Sequence, residues 1–388
     1  MVTLREILQI FLCLTIWTRL APALPLPDKI EERLRRNGES LKKNQWILVL
    51  VVLAALAGLG YWGRDRIHFD FRVFGAQLAL ADWRKIAFAL GIIYSCYLIR
   101  SFRWARLLRH IKKVGPLSLL GTQVIGFTGV ALLGRIADPV RPYLVAKKTG
   151  LPLSNQVAVY IIERLLDMGA MALIFFSVIL LAPAGELPHP EVIKKVAYGG
   201  LTTTLLGALF LLAVRVAGGV VASYSERIFG LASKKLGQAV GSKIRTFRAG
   251  LDAMRSFSDF AVVGGLSLLM WGLIVLTYFE IMRAFVASPE LAGLTLSKCM
   301  LVMAWGMAAS VFQLPVLGWF TQIGLVAAAL TGFFGVAAEP ATACAATLLL
   351  ISFLGIVPVG LIWAQFEHVS LRKVAAESEQ AEVELEVD

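Results

Sequence analysis

The stretch Leu133-Gly134-Arg135-Ile136-Ala137-Asp138-Pro139-Val140-Arg141-Pro142 sets two arginines, an aspartate and two prolines into otherwise apolar sequence. A lone charge at bilayer depth costs at least a few kcal/mol, so Arg, Asp and Glu placed there pair with one another, face a wet cavity or hold a ligand. Pro139 and Pro142 each lack a backbone donor and restrict the residue before them, which argues against an unbroken helix through residues 135–143. The stretch reads as a break inside a membrane segment. A second charged cluster, Glu163-Arg164-Leu165-Leu166-Asp167, follows in the next apolar run.

The surrounding composition supports that setting. With 58% hydrophobic and 16% charged residues and a mean hydropathy of +0.74, the chain is too apolar for a soluble globular protein of its length. Runs long enough to cross a hydrocarbon core of about 30 Å as helices occupy residues 46–62, 86–104, 157–181, 196–214, 260–278 and 341–363. Two more apolar segments, 117–133 and 296–336, are interrupted by Gly, Pro and polar residues. None shows the strict alternation of a barrel strand, so helices are the expected spanning elements. The fold class is an all-α polytopic membrane bundle.

Cys13, Cys96, Cys299 and Cys344 stand singly in apolar sequence, a pattern unlike a zinc site, a redox motif or a disulfide framework. The four histidines are dispersed, and none suggests a triad. No metal and no cofactor is expected, and no P-loop is present. The formal net charge of +12 comes from basic residues beside apolar runs, where the positive-inside rule already places them, so no nucleic-acid partner is expected.

Charge also orders the topology. Basic groups precede the first run (Lys29, Arg33, Arg35, Arg36, Lys42, Lys43), close the second (Arg100, Arg103, Arg106, Arg109) and fill residues 215–255. All three blocks belong on the cytoplasmic side. They do so only if segment 117–133 enters from the cytoplasm, breaks near residues 135–142 and returns through Lys147 and Lys148. The same reasoning makes 296–336 return to its starting side, turning at Gln313-Leu314-Pro315-Val316-Leu317-Gly318-Trp319. The expectation is about six spanning helices plus two broken re-entrant hairpins dipping in from opposite faces, the arrangement of an inverted-repeat transporter with a site near the midplane. Both termini fall in the cytoplasm.

Three divisions follow. Residues 1–45 hold a short apolar stretch, resembling a secretory signal only faintly because of Arg19 and its prolines, then a basic juxtamembrane region. Residues 46–365 form the transmembrane domain. Residues 366–388 form an acidic, solvated tail with no space for a soluble catalytic domain. The apolar spacing of Leu236, Val240, Ile244, Phe247, Leu251 and Met254, with Lys235, Lys243, Arg245 and Arg248 between, describes a basic amphipathic helix that either lies on the anionic leaflet or packs across the bundle.

Arg135, Asp138 and Arg141 recur every three residues and fall near one another even in a loose turn, where Asp138 could cap a helix beginning at Pro139. Glu163 and Asp167 share a helix face, with Arg164 in reach of Asp167. Arginine suits phosphate because its planar fork makes paired hydrogen bonds and keeps its charge. Two readings stand. In one, Arg135 or Arg141 pairs with Glu163 or Asp167 and merely fixes the hairpin. In the other, the six residues Arg135, Asp138, Arg141, Glu163, Arg164 and Asp167 leave a net basic pocket for an anionic head group.

At these clusters the chain resembles the transmembrane region of the lysylphosphatidylglycerol synthase superfamily, the flippase-like domain family. Arg135, Asp138 and Arg141 match the basic, acidic and basic positions of its first motif; Glu163, Arg164 and Asp167 match its Glu-Arg-x-x-Asp. The Arg-rich end at Arg100-Ser101-Phe102-Arg103-Trp104 and the layout over residues 46–363 look alike. Departures are Leu133 and Ala137-Asp138 in place of the family's Pro and Gly-Glu, Gln322 where a later glutamate is usual, and no arginine in 348–355.

The resemblance implies a non-enzymatic protein of the bacterial inner membrane that binds and moves an anionic phospholipid or polyprenyl-phosphate-linked lipid between leaflets. Aminoacyl-transferase activity in bifunctional relatives belongs to a separate soluble domain. A non-transporting accessory subunit that holds envelope biosynthesis enzymes in place is the alternative. An intramembrane enzyme is a third reading, for which no nucleophile or metal set is evident.

Overall fold

A computed structural model describes residues 69–183, 185–188, 190–231, 233–251, 257–309, 317–367 and 369, without the side chains of Arg135 and Ile136 and of several residues in 211–257 and 308–317. The N-terminal segment, the expected first span at 46–62, most of the turn at Gln313 to Trp319 and the acidic tail lie outside the described residues.

The first elements are α1 (Phe71–Ala79) and α2 (Trp83–Leu108), each opened by an aspartate. Asp70 accepts from the Arg72 amide at 2.7 Å and Asp82 from the Arg84 amide at 3.0 Å, which satisfies helix-end donors that have no intrahelical partner. The first hairpin follows. Helix α3 (Pro116–Leu133) starts on a proline, whose missing amide costs nothing at a first turn. It stops at Gly134, whose φ of 76° and ψ of −163° lie in a region essentially reserved for glycine.

A 3₁₀ turn over Gly134–Ala137 leads to α4 (Val140–Thr149), closed by left-handed Gly150. The sequence placed the break correctly but assigned it to the prolines. The backbone reversal is made by Gly134, while Pro139 occupies the cap and Pro142 sits in the first turn of α4, where prolines are tolerated. The expected helix start at Pro139 with Asp138 as its cap is shifted by one residue.

Beyond it come α5 (Leu153–Leu181), the long α6 (Pro190–Gly230), α7 (Lys234–Leu251) and α8 (Phe257–Ala284). The short α9 (Pro289–Ala292) leads to the second hairpin, α10 (Leu296–Ala309) and α11 (Leu317–Phe334). Last are α12 (Ala338–Ser352), a 3₁₀ turn at Leu354–Ile356, and α13 (Val357–Phe366). The described residues contain no strand. Helices α2, α3, α5 and α8 are long and apolar enough to cross a membrane, and α12 with α13 make a fifth if the bent pair is one span.

That pair corrects the expectation of an unbroken helix at 341–363, since it bends by 42°. Pro358 interrupts the hydrogen-bond ladder at the start of α13. Neighbouring side chains serve the freed carbonyls: the Tyr94 hydroxyl donates to the Gly355 oxygen at 2.9 Å and the Thr128 hydroxyl to the Ile356 oxygen at 3.4 Å. Without water in the hydrocarbon core, a broken helix survives only with such partners.

Contacts at the helix ends fix the chain directions. At one end, Lys112 before α3 donates to the Thr149 carbonyl at the close of α4 (2.6 Å), and Lys148 pairs with Glu367 after α13 (2.6 Å). Asp259 at the start of α8 holds Arg106, Arg109 and His110 from the close of α2. At the other end the Asp82 amide meets the Ala284 carbonyl at 2.8 Å and the Asp70 amide meets Glu339 at 3.1 Å. Lys298 in α10 stands 6.0 Å from the ring of Phe334 at the close of α11. Each hairpin therefore returns to the end where it began, and the two enter from opposite ends. Their inner parts meet, because the Trp319 indole donates to the Ala131 carbonyl at 3.2 Å.

The bundle is apolar outside and carries polar groups within. Met168, Leu181, Leu206 and Leu209 are well exposed, whereas Arg103, Gln123, Arg141, Glu163 and Asp167 are buried. Lipid rather than water suits such an exterior. Helix α7 packs on its neighbours, as one alternative of its sequence reading has it, which leaves its other face open to the leaflet: Arg245 pairs with Glu226 of α6, and Ile244 packs on the cluster containing Trp104, Val214 and Val263.

Candidate functional site

Both charged motifs come together beside the first hairpin, joined by a third group from α2. Arg100 and Arg103 lie one helical turn apart on α2; Gln123 and Phe127 do so on α3. Arg141 is on α4, and Tyr160, Glu163, Arg164 and Asp167 line one side of α5. Close passage of α3 and α4 depends on Gly126, where any Cβ would overlap the Arg141 side chain and approach its Cα to 3.3 Å. A small residue at a helix crossing brings the backbones together.

Arg141 is 1% exposed. It donates through Nη2 to Glu163 Oε2 at 2.7 Å and to Gln123 Oε1 at 2.8 Å, and through Nε to the same Gln123 oxygen at 3.2 Å. Arg103, wholly buried, donates to Asp167 Oδ1 at 2.5 Å and reaches the Glu163 carboxylate at 3.5 Å. These two pairs supply what a buried charge requires, an opposite charge with hydrogen bonds on several sides.

Arg100 and Arg164 are held more loosely. Arg100 Nη1 is 3.7 Å from Glu163 Oε1 and 3.6 Å from Asp167 Oδ2. Arg164 Nη2 is 3.5 Å from Asp167 Oδ2 and 4.0 Å from Glu163 Oε2, and the side chain of Arg164 is 39% exposed. Arg100 Nη1 and Arg164 Nη2 make no hydrogen bond among the described residues. Four guanidiniums thus share two carboxylates, an excess of two positive charges by formal count.

Aromatic rings separate the like charges. Phe127 lies 4.6 Å from the Arg100 guanidinium and 4.2 Å from that of Arg141. Tyr160 lies 5.6 Å from Arg141 and 5.3 Å from Arg164. The order Arg100, Phe127, Arg141, Tyr160, Arg164 alternates cation and ring from the partly open Arg100 through buried Arg141 to the half-buried Arg164. The negative ring faces offset the mutual repulsion of the guanidiniums.

Of the residues singled out from sequence, Arg141, Glu163, Arg164 and Asp167 are assembled here. Asp138, half-buried at the break, lies close enough to act electrostatically on Arg164 and Tyr160. The side chain of Arg135 lies outside the described residues. Sequence reasoning gave no site role to Arg100 and Arg103, which it used to orient the chain and as part of the family resemblance, nor to Gln123 or the rings of Trp104, Phe127 and Tyr160. The available signal was Arg100 and Arg103, two charges inside the apolar run 86–104. Among the described residues no group of three or more His, Cys, Asp or Glu could hold a metal ion. Cys96, Cys299 and Cys344 are buried free thiols.

An all-α bundle with two opposed broken hairpins and a cationic cluster between its helices defines a polytopic membrane protein. Residues 46–375 match the family described as the lysylphosphatidylglycerol synthase TM region, and the chain belongs to it. No curated protein and no solved structure matches the chain.

Proposed function

We propose that this protein binds the head group of an anionic phospholipid or polyprenyl-phosphate-linked lipid at the arginine cluster and carries it between the leaflets of the bacterial inner membrane. The supporting observation is that four guanidiniums share only Glu163 and Asp167, a surplus that the Asp138 carboxylate nearby reduces to one, at a site where the side chain of the outer member, Arg164, is 39% exposed while Arg103 and Arg141 are buried. A cluster serving architecture alone would approach neutrality, because each uncompensated buried charge costs several kcal/mol. Here Arg141 and Arg103 form the closed framework with Glu163 and Asp167. Arg164 and Arg100, with the Nε and Nη2 of one and the Nη1 of the other making no hydrogen bond among the described residues, receive the anion, with Asp138 beside its approach.

The positive-inside rule puts the end bearing Arg106, Lys112 and Lys148 in the cytoplasm. Contact between the hairpins at Trp319 and Ala131 supplies the element that must part for a head group to pass, as in transporters built from opposed broken helices. The chain carries out no covalent chemistry in this reading, and its substrate is the lipid itself.

The test is leaflet exchange of a fluorescent phosphatidylglycerol in proteoliposomes, with Arg164→Gln and Arg100→Gln beside the parent. The proposal expects exchange above protein-free vesicles, lost in both variants while both remain folded. Parent protein that gives no exchange, yet binds the lipid, leaves the accessory-subunit reading in its place. Chemical alteration of the lipid would instead establish an enzyme.

A further inference from the structure

Helix α6 has 41 residues. At 1.5 Å per residue it is about 60 Å long, roughly twice the hydrocarbon core of a bilayer. Its regular conformation fails once, at Ala217 (φ −127°, ψ 34°). Around and beyond that kink the outer face does not turn polar. Val216, Val220, Tyr224 and Ile228 recur every four residues and are 72%, 57%, 63% and 62% exposed, and Leu231 at the helix end is 90% exposed. The stripe continues the exposed face of Leu205 and Leu209 in the apolar run before it.

The opposite side of this extension is covered by α7. Gly237 and Gly241 let α7 approach so closely that a Cβ at either position would overlap the main chain or side chain of α6 at Glu226 and Gly230. Glu226 is paired with Arg245. It is also the only acidic residue in 216–251, a segment that contains Arg227, Lys234, Lys235, Lys243, Arg245 and Arg248. The helix pair stands at the basic end of the bundle, since Ile244 packs with Trp104, Leu107 and Val263.

We infer that α6 beyond Ala217 and α7 form a helical hairpin that lies along the anionic surface of the leaflet at the bundle's basic end, with the Val216 to Leu231 stripe sunk to the acyl boundary. Three observations meet in this assignment. An apolar stripe continuous with a lipid-facing one has no reason to end in water. A helix too long for the core needs a bend, and Ala217 supplies it. The hairpin's single carboxylate is already engaged by Arg245, and Arg227 and Lys234 are exposed and can meet lipid phosphates; apolar burial plus attraction to anionic lipid is how interfacial helices hold to membranes. This inference is independent of the transport reading.

The test places an environment-sensitive fluorophore on the full chain at Ile228→Cys and, separately, at Leu231→Cys. Both positions are exposed, so packing is not disturbed, and labelling of the unsubstituted chain supplies the background. Each labelled protein is reconstituted in phosphatidylcholine vesicles with and without phosphatidylglycerol, then exposed to lipid-borne nitroxide or to aqueous iodide. The expected result is quenching by shallow nitroxide at least about two-fold greater in the anionic vesicles, with weak quenching by iodide. Converting Arg227 and Lys234 to glutamine together is expected to remove that dependence on lipid charge. Strong iodide quenching in both lipids overturns the proposal, and so does nitroxide quenching that ignores lipid charge. Protection from both quenchers identifies a protein contact, such as a second copy of the chain, and equally overturns it.

Discussion

The guanidinium of Arg141 donates to Glu163 at 2.7 Å while lying 4.2 Å from the Phe127 ring, so one side chain ties α4 both to α3, the other arm of its hairpin, and to α5. The position of α4 therefore depends on a charge pair out of reach of water. Breaking a buried pair from one side leaves the other charge uncompensated, which is costlier than replacing both.

Arg141→Gln and Glu163→Gln are each expected to destabilise the folded protein by about 3–5 kcal/mol. The double replacement should cost clearly less than the sum. Unfolding of the purified proteins in mild detergent checks this, and strict additivity would show that the pair is not coupled.

Gly126→Ala places a methyl group on the Arg141 side chain and must push α4 away from α3. Overpacking of this kind costs about 1–3 kcal/mol. Binding of anionic lipid should weaken along with stability, because Arg141 carries its partners as it moves. Gly129→Ala is the control: the new Cβ meets its nearest neighbour, Ala137, at 3.6 Å, an ordinary contact. Thermal stability and lipid binding measured on the two variants separate the positions.

Gly134→Ala forces a side chain onto a backbone with φ of 76° and ψ of −163°. A cost of about 1–3 kcal/mol is expected. The damage should be local to the hairpin, read as faster amide exchange in residues 131–142 than in α8.

Trp319→Phe keeps an aromatic side chain, though a smaller one, and deletes the donor to the Ala131 carbonyl. Loss of that bond should cost about 1 kcal/mol and raise the frequency with which the hairpins separate. A spin-label pair on the two hairpins should report a broader distance distribution. An unchanged distribution would mean that the contact does not hold them together.

Lys147 and Val192 are both exposed, one at the basic end in α4 and one near the start of α6. With cysteine at either position, an impermeant thiol reagent added to intact cells should label position 192 and spare position 147. Labelling of position 147 from outside would put the first hairpin on the wrong side of the membrane.

Legibility in the sequence followed the strength of the local signal. Long apolar runs announced α2, α5 and α8 because a spanning helix needs some twenty apolar residues, and few other structures do. Charge asymmetry then demanded two segments that return to their own side, and helix-end contacts such as Lys112 with Thr149 show that they do. The bend at residues 353–356 escaped notice because one proline in an apolar run does not distinguish a kink from a cap. Arg100 and Arg103 mark topology and family likeness in the sequence without declaring a site role, because an arginine near a helix end serves orientation and chemistry alike.

What the sequence determined by itself was the solvent: its apolar runs required lipid, its breaks required cover from neighbours, and its isolated charges required company. Which charges keep company was decided only by the tertiary structure. Pairing of Arg141 with Glu163 and of Arg103 with Asp167 depends on how closely α2, α3, α4 and α5 cross, and the crossing of α3 with α4 turns on the missing side chain of Gly126. Periodicity assigns a residue to a face of its own helix, but the separation between two helices comes from packing, and the strength of an ion pair depends on that separation and on the exclusion of water around it.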